Sequence, residues 1–389
     1  MSLPEPLRDG PAALSDPAST SAILTVDLDA VAANYRHLRS LADGADVAGV
    51  VKANAYGVGM VPVALTLARE GCRNFFVADP DEGAALRAAL PDAAIYVTNG
   101  LMPGAGAAYR AHALSPCLGS LAEIEEWRRE AALAGRALPA ALHFDTGLSR
   151  LGFDEAETHR LIGSAASLAG LDIALVMSHL ACSDEPEHPL NALQLSRFKP
   201  IRAAFPSVPA SFANTAGVLL GSEYRFDMVR PGYGLYGGIP AEGQPNPFRQ
   251  AIRLEGRVLQ IRDVPAGTTA GYGATWKAEG PRRLAVVATG YADGYFRSLA
   301  SARGAGRVHI GGHYAPVAGR VSMDLLIVDL TGLPEEAVRR GDLAELIGEH
   351  VTLDEVADRA GTIGYEVLTR LGDRAKRHYT GGHLGATES

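Results

Sequence analysis

Residues 47–57, VAGVVKANAYG, join a short apolar run to a lysine and then to a turn that ends at a glycine. Further apolar runs of similar length follow at residues 75–78, 95–98, 114–117, 141–144, 173–177, 210–213 and 228–229. Stretches rich in Ala, Leu and Arg lie between most of them, for example at residues 82–90 and 121–134. Strands that alternate with helices and are apolar on both faces predict an α/β fold with an N-terminal (β/α)8 barrel of the TIM type. A doubly wound parallel sheet is the competing arrangement.

The composition changes after Gly238. Residues 240–250 are rich in Pro, Gly, Gln and Asn, which is typical of a linker. Short β-like runs follow at residues 256–264, 284–289, 307–310, 315–321, 325–330 and 342–347, with a helical segment at 353–360. We therefore predict a flexible tail over residues 1–22, the barrel over 23–245 and a C-terminal, mostly β domain over 246–389, with a polar tail from residue 378.

Composition limits the partners of this chain. Of its 389 residues, 47% are hydrophobic and 21% charged, as in ordinary folded proteins. The 36 basic and 44 acidic residues give a net charge of −8, which provides no general attraction to nucleic acid or to an anionic membrane. No apolar run approaches the roughly 18 residues of a membrane helix, and three scattered cysteines argue against a disulfide framework. We predict a cytoplasmic protein with a small-molecule ligand, no nucleic acid and no membrane partner.

Lys52 stands at the end of the first apolar run, the end at which barrel enzymes carry their active sites. Burying an unpaired ammonium there is costly unless its pKa falls, and an amine with a lowered pKa forms a Schiff base with an aldehyde. A surface lysine in an ordinary loop is the alternative.

Two later loops have the residue types of a phosphate site. Residues 230–234, RPGYG, follow the last run, and residues 214–217, NTAG, follow the run before it. Glycine lets backbone N–H groups approach a phosphate, threonine adds a hydroxyl, and barrels bind phosphate after their final strands. Plain turns between strand and helix are the alternative.

Nine short motifs occur in the order in which alanine racemases carry them. They are residues 51–57 (VKANAYG), 145–152 (DTGLSRLG), 178–181 (SHLA), 213–217 (ANTAG), 230–232 (RPG), 271–273 (GYG), 290–294 (GYADG), 321–324 (VSMD) and 365–366 (YE). They extend over residues 25–380, nearly the whole chain, and through them the sequence resembles the alanine racemase family.

The resemblance implies a homodimer whose active sites are built from both subunits, with pyridoxal 5′-phosphate as the cofactor and an amino acid as the substrate. Lys52 would hold the cofactor and act as the base on one face of the substrate's Cα. Tyr272, from the β domain of the partner subunit, would be the base on the other face, because racemisation returns a proton to the face opposite the one it left. A phenol with a reference pKa of about 10 needs cationic neighbours for this role, and His179 with Arg230 resembles the family's network behind it.

Other positions carry over in the same way. Arg230 would donate to the pyridine nitrogen and keep it unprotonated, which separates racemases from most other pyridoxal chemistry. Arg150 would lie near the cofactor's phenolic oxygen and the substrate carboxylate. Tyr291 and Met323 of the partner subunit would narrow the substrate pocket. The remaining cofactor-binding positions would be Tyr56, His179, Asn214, Thr215, Gly232, Tyr233 and Tyr365.

Three positions depart from the family pattern. Two residues before Asp145, many members have a lysine modified to a carbamate that orients the arginine, whereas this chain has His143. An imidazole does not replace that anion, so Arg150 needs another partner, for which a bound anion and Asp145 are candidates. Many members have serine at Thr215 and isoleucine at Tyr233; since the hydroxyl and the amide survive these changes, phosphate binding is expected to persist.

The predicted activity is the interconversion of L-alanine and D-alanine. A racemase of broader specificity is an alternative, because Tyr291 and Met323 do not fix the size of the substrate side chain. A pyridoxal-phosphate-dependent amino-acid decarboxylase of similar fold would prefer an acidic group in place of Arg230. A non-catalytic cofactor-binding protein would not need Tyr272.

The sequence contains residue types that can bind a metal, but they do not have the compact spacing of a zinc motif. We therefore predict no bound metal. The two groups considered are His179 with Cys182, Asp184 and His188, and His309 with His313.

Overall fold

The computed structural model describes residues 20–163, 168–241, 243–300 and 306–382. Residues 1–19 of the predicted N-terminal tail and residues 383–389 of the predicted C-terminal tail lie outside this part of the chain. Within these ranges, none of the helices combines the length and the apolar character that a bilayer crossing requires.

The described chain begins with strand β1 (Ala22–Asp27) and helix α1 (Leu28–Leu41). Asp27 caps the helix by accepting hydrogen bonds from the backbone N–H groups of Asp29 and Ala30. The parallel strands that follow are β2 (Asp46–Val47), β3 (Gly49–Val50), β4 (Asn74–Val77), β5 (Ala94–Val97), β6 (Ser115–Leu118), β7 (Leu138–His143), β8 (Leu171–Met177), β9 (Ala210–Ser211) and β10 (Met228–Val229).

These nine strands form one sheet in the order β2-β10-β9-β8-β7-β6-β5-β4-β3. β2 and β3 are successive pieces of one strand, separated only by Ala48. Because β2 pairs with β10 and β3 pairs with β4, this divided strand brings the two ends of the sheet together. The predicted eight-stranded barrel of parallel strands is confirmed, and the doubly wound alternative is wrong.

Helices cover the outside of the barrel and bury one apolar face. In helix α6 (Leu121–Ala134), for example, Ile124, Trp127 and Ala131 are buried, at the spacing of one helical face. The helices are α2 (Lys52–Tyr56), α3 (Met60–Arg69), α4 (Pro80–Ala89), α5 (Gly106–Ala111), α6 (Leu121–Ala134), α7 (Glu155–Ile162), α8 (Pro189–Ala204) and α9 (Thr215–Leu220).

The C-terminal part is mostly β, as predicted. Its elements are β11 (Ile252–Val264), β12 (Thr269–Ala270), β13 (Trp276–Lys277), β14 (Arg282–Ala288), β15 (Arg307–Ile310), β16 (His313–Pro316), β17 (Leu326–Asp329), β18 (Leu343–Ile347), α10 (Leu353–Ala360), α11 (Gly364–Thr369) and β19 (Lys376–Thr380). β12 and β13 form a separate two-stranded hairpin, and β14 connects β11 with β17. The remaining strands run in the order β16-β15-β18-β11-β1-β19.

The second sheet differs from the sequence-based boundaries at both ends of the chain. β1 pairs antiparallel with β11 and parallel with β19, so residues 22–27 belong to this sheet although they precede the barrel. Residues 378–380, predicted as polar tail, are part of β19. The sequence hides both strands because β1 and β19 stabilise each other across more than 300 residues of chain.

Candidate active site

A cavity of about 680 Å³ opens where the barrel strands end at their carboxyl termini. Barrel enzymes place their chemistry at this end of the strands. The structure brings together in its lining most of the predicted site residues, namely Lys52, Tyr56, Arg150, His179, Asn214, Thr215, Arg230, Gly232, Tyr233 and Tyr365, together with His143.

An uncommon backbone conformation follows Lys52. Residues 53–56 have φ between +52° and +55°, a left-handed turn that costs L-residues roughly 1–2 kcal/mol each. The turn is held from outside, since Glu82 of α4 accepts a hydrogen bond from the Asn54 N–H at 3.1 Å. Gly57 ends it with φ of +86°. Strain of this kind collects at functional sites, and here it fixes the place where Lys52 leaves the strand.

The amine of Lys52 has a lowered pKa. Burial lowers the pKa of Lys52, and the positive charges of Arg150 and Arg230 contribute in the same sense, while Glu82 opposes them. A neutral amine is the form that attacks an aldehyde. Because Lys52 lines the cavity, the alternative of an ordinary surface lysine is not supported.

Arg230 is buried at the base of the cavity, with 5% of its surface exposed. Its guanidinium donates to Ser211 Oγ and to the carbonyl oxygen of Ser178, both at 2.6 Å. Burial lowers the pKa of Arg230 to about 10, so the group stays protonated at neutral pH. Within the described ranges no carboxylate forms an ion pair with it. The cavity therefore contains a fixed positive charge that no carboxylate of the described residues neutralises.

The two histidines of the cavity are neutral. Burial, followed by the charges of Arg230 and Arg150, lowers the pKa of His143 to about 4. The same causes, in the same order, lower the pKa of His179 well below its usual range. His179 Nδ1 lies 3.3 Å from Arg230 Nη2 and must accept, because a guanidinium only donates. His179 thus carries its proton on Nε2. Of the two residues predicted to provide positive charge, Arg230 provides it and His179 does not.

The partner of Arg150 is not Asp145. Asp145 Oδ1 accepts from the backbone N–H groups of Gly147, Leu148 and Ser149 at 2.8, 3.0 and 3.2 Å, and so shapes the loop that carries the arginine. No ion pair to Arg150 occurs in the part of the chain that the structure describes. Of the two candidate partners, a bound anion is the one that remains.

Thr215 Oγ1 accepts from the N–H groups of Gly232 at 3.1 Å and Gly234 at 3.3 Å, which joins the loops after β9 and β10. Asn214 Oδ1 accepts from the Gly217 N–H in the first turn of α9 at 2.8 Å and thereby caps that helix. A Cβ at Gly232 would collide with the Tyr56 hydroxyl, so glycine is required for this close approach.

Three tyrosines line the cavity. The rings of Tyr56 and Tyr365 lie 6.0 Å apart, and the ring of Tyr233 stacks on Tyr365 at 4.0 Å with an angle of 16°. The Tyr233 hydroxyl donates to Asp354 Oδ1 at 2.8 Å. Burial raises the pKa of Tyr365 to about 12 and also raises that of Tyr56, so both hydroxyls remain donors.

Tyr272, Tyr291 and Met323 do not line this cavity in their own chain. They lie on the surface of the C-terminal part, with 72%, 43% and 52% of their areas exposed. Tyr272 is in the loop between β12 and β13. Tyr291 lies beside Met323, because the N–H of Tyr291 donates to the carbonyl oxygen of Ser322 at 3.0 Å. Large exposed side chains of this kind are typical of a surface that meets another molecule.

Three supporting residues were missed at the sequence level. Ser178 and Ser211 fix Arg230, and Asp354 holds Tyr233. Ser178 lies within one of the nine motifs and so had a local signal. Ser211 and Asp354 had no such local signal, because the sequence of a single strand or helix does not reveal which distant side chain each residue will contact.

The cavity fits an anionic aldehyde. Its lining includes a lysine of lowered pKa, protonated tyrosines, a threonine, and a buried arginine without a carboxylate partner among the described residues. The fold and this set of groups define a barrel enzyme that binds a phosphate-bearing aldehyde cofactor on a lysine.

Comparison with known proteins gives the family. Models of the N-terminal and C-terminal domains of alanine racemase match residues 26–240 and 251–379. The alanine racemase of Methylobacterium sp. strain 4-46 is 52% identical over 358 residues, 92% of this chain and 97% of its own length. The catabolic alanine racemase of Mesorhizobium japonicum is 48% identical over 368 residues, 94% of this chain and 95% of its own.

A crystal structure of the Bartonella henselae alanine racemase with covalently bound pyridoxal phosphate has a TM-score of 0.88 and 39% identity, covering 93% of this chain and all of the other. The alanine racemase of Streptomyces lavendulae has a TM-score of 0.87 and 35% identity, covering 93% and 97%. This chain belongs to the alanine racemase family.

Proposed function

We propose that this protein interconverts L-alanine and D-alanine with two bases, Lys52 of one chain and Tyr272 of a second copy. It is a pyridoxal-phosphate-dependent alanine racemase, an isomerase. The observation that carries the mechanism is one cavity in which an amine of lowered pKa meets a buried, protonated Arg230.

Pyridoxal phosphate, when bound, withdraws electrons from the Cα of an attached amino acid and makes its proton removable. The amine of Lys52 accepts or returns that proton on one face of Cα. Arg230 would donate an N–H to the ring nitrogen and, because it stays protonated at neutral pH, would leave that nitrogen unprotonated. This arrangement favours return of the proton to Cα. It disfavours decarboxylation, for which an acidic group at this position would be better suited.

The cofactor's phosphate would be held where the loops after β9 and β10 meet. The hydroxyls of Tyr56 and Tyr365 remain protonated donors there. Thr215 adds a hydroxyl, and the backbone N–H groups of Gly232 and Tyr233 add further donors, as anion sites require. Arg150, which lacks a carboxylate partner in the described part of the chain, would orient the substrate carboxylate.

The second base would come from a homodimer. Tyr272 is 72% exposed and absent from its own chain's cavity, which supports a role in the partner subunit's site. His179 accepts from Arg230 at Nδ1, so its Nε2–H is free to donate to another acceptor, and the phenolic oxygen of the partner's Tyr272 fits that need. Tyr291 and Met323 would complete the pocket from the same subunit.

Chiral chromatography tests the activity directly. Purified protein is incubated with L-alanine, with and without added pyridoxal phosphate, and D-alanine is measured over time. We expect equal amounts of the two enantiomers at equilibrium, and a panel of larger amino acids distinguishes a broad racemase from an alanine enzyme. Release of carbon dioxide, or no D-alanine from cofactor-loaded protein, would contradict the proposal.

Mixing two inactive variants tests the shared site. Lys52→Ala and Tyr272→Phe chains, refolded together, form mixed dimers in which one site carries both changes and the other carries neither. If sites are shared, random mixing restores about a quarter of the intact sites. The control mixes Lys52→Ala with the double variant, which yields no intact site. Equal activity in both mixtures would show that each chain supplies its own second base.

We further propose that the protein works in the reducing cytoplasm. Cys72 and Cys117 are buried as free thiols, and Cys182 is also unpaired. Free thiols are the usual state in that compartment. Fractionation of the source cells, with racemase activity as the readout, tests this assignment.

A further inference from the structure

Two histidines and a glutamate converge on the C-terminal sheet, away from the active-site cavity. His309 of β15 lies directly opposite Glu345 of β18 in the strand register, and His350 follows in the loop after β18. Their candidate ligand atoms all lie within 4.8 Å of one another. We call these residues the His–Glu–His cluster. The sequence analysis paired His309 with His313 instead, but His313 lies opposite Ile310 and so faces the other side of the hairpin.

The carboxylate of Glu345 is positioned by the backbone. Glu345 is 8% exposed, and its Oε1 accepts from the N–H groups of His350 at 2.7 Å and Val351 at 3.0 Å. Gly348 leaves the space that this fold of the loop needs, since a Cβ there would come within 2.5 Å of the Glu345 carboxyl carbon. Oε2 is therefore directed at the imidazoles, 3.3 Å from His350 Nδ1.

The surroundings favour a cation. Arg307, the nearby guanidinium on β15, forms ion pairs with Glu355 at 2.7 and 2.8 Å and stacks on Tyr314, so it does not neutralise Glu345. Glu255 of β11 lies opposite Glu345 on the other side of β18 and is itself paired with Arg253 at 3.3 Å, so that arginine is also engaged elsewhere. A divalent ion bound beside the two imidazoles would compensate the charge of the buried Glu345 carboxylate.

We propose that the His–Glu–His cluster binds one divalent cation of the Zn²⁺ type, through one ring nitrogen of each histidine and Glu345 Oε2. Two imidazoles with one carboxylate are a ligand set that suits zinc, whereas Mg²⁺ and Ca²⁺ prefer oxygen ligands. His350 Nδ1 and Glu345 Oε2 are 3.3 Å apart, so both lie within reach of one metal ion with bonds of about 2.0–2.1 Å. His350 is 44% exposed at its side chain, which leaves the fourth position to water.

Binding requires one movement. The rings of His309 and His350 stack at 3.6 Å with an angle of 10°, and an imidazole coordinates in its own plane. One ring must therefore turn out of the stack before both nitrogens reach a common ion. The exposed His350 is the ring with room to do so. The ion would then fasten the loop after β18 to β15 and stabilise the C-terminal sheet.

Zinc titration of the holoenzyme tests the proposal. Enzyme with its cofactor bound is treated with a chelator, dialysed, and titrated with Zn²⁺ by calorimetry, with thermal unfolding followed in parallel. We expect one Zn²⁺ per chain and a higher unfolding temperature with zinc. His350→Ala, which changes a partly exposed side chain, should bind Zn²⁺ at least tenfold more weakly while keeping its racemase activity. His309→Asn should behave like His350→Ala.

The matched control is His313→Ala, a change in the same hairpin on the opposite face. It should bind Zn²⁺ like the unaltered protein. Three results would overturn the proposal: no binding by the unaltered protein, undiminished binding by His350→Ala, or equal loss in His313→Ala. Co²⁺ substitution adds a spectroscopic readout, because a tetrahedral site gives visible bands that His350→Ala should abolish.

Discussion

Removing the Tyr233 hydroxyl should separate two roles of this side chain. Tyr233 lies in the loop after β10, is 2% exposed, and reaches Asp354 of α10 through a hydrogen bond of 2.8 Å. Its ring stacks on Tyr365, the proposed phosphate ligand, at 4.0 Å. Tyr233→Phe removes the hydrogen bond and keeps the stack. Tyr233→Ile, the residue type expected from the family pattern, removes both.

The magnitudes follow from the contacts. A hydrogen bond to a charged acceptor contributes about 1.5–3 kcal/mol, and after its loss Asp354 still accepts from the Ile239 backbone N–H at 3.3 Å. Tyr233→Phe should therefore lower the free energy of unfolding by about 1.5–3 kcal/mol. An aromatic pair contributes about 0.5–1.5 kcal/mol. If the stack orients Tyr365, Tyr233→Ile should weaken cofactor binding by roughly twofold to tenfold, whereas Tyr233→Phe should leave it unchanged.

Two assays measure these effects separately. Urea unfolding at fixed protein and cofactor concentration reports stability, and titration of cofactor-free protein with pyridoxal phosphate reports affinity. Tyr295→Phe is the matched control, because its buried hydroxyl has no hydrogen-bond partner among the described residues. Equal stability of Tyr233→Phe and the control would refute the contribution of the Asp354 bond. Equal cofactor affinity of the two Tyr233 variants would refute the positioning of Tyr365.

Lys52→Ala should abolish both racemisation and the visible absorption of the covalently bound cofactor, and a variant that still racemises would exclude this lysine as a base. Tyr272→Phe should slow proton abstraction from one enantiomer, measured as deuterium incorporation from heavy water into L- and D-alanine; unchanged incorporation into both would remove Tyr272 from the mechanism. His143, with a pKa of about 4, binds its proton less readily in the folded than in the unfolded state. Stability of the cofactor-free protein should therefore fall as the pH drops from about 6.5 to about 4, by about 3 kcal/mol from this residue. Acid unfolding of His143→Asn should have a shallower slope, and an identical slope would contradict the assignment.

The barrel was predictable because its signal is local. Each strand is a short apolar run followed by a helix with its own cap and apolar face, as in α6, and a run of such units forms a parallel sheet, which here closes into a barrel. The end of the first strand gave the position of Lys52. For the roles of Tyr272, Arg230 and Arg150, the motifs supplied the prediction, since no local physical rule assigns them.

Contacts between residues far apart in the chain could not be predicted from the sequence. β1 alternates its burial like any strand, but its partners β11 and β19 lie at the far end of the chain. The partners of Asp145 were equally hidden: it holds its own loop and not Arg150. His309 lies close to Glu345 and His350 and not to His313, although His313 is nearer in sequence.

The sequence by itself determined which segments become the strands and helices of the barrel and which residue types stand at the ends of those strands, because these follow from neighbours within a few positions. The tertiary structure alone decided the pKa of Lys52, the neutrality of His179 and the bond from Tyr233 to Asp354. Those properties depend on burial and on charges contributed by distant strands, and they arise only when the barrel closes and the second sheet packs beside it.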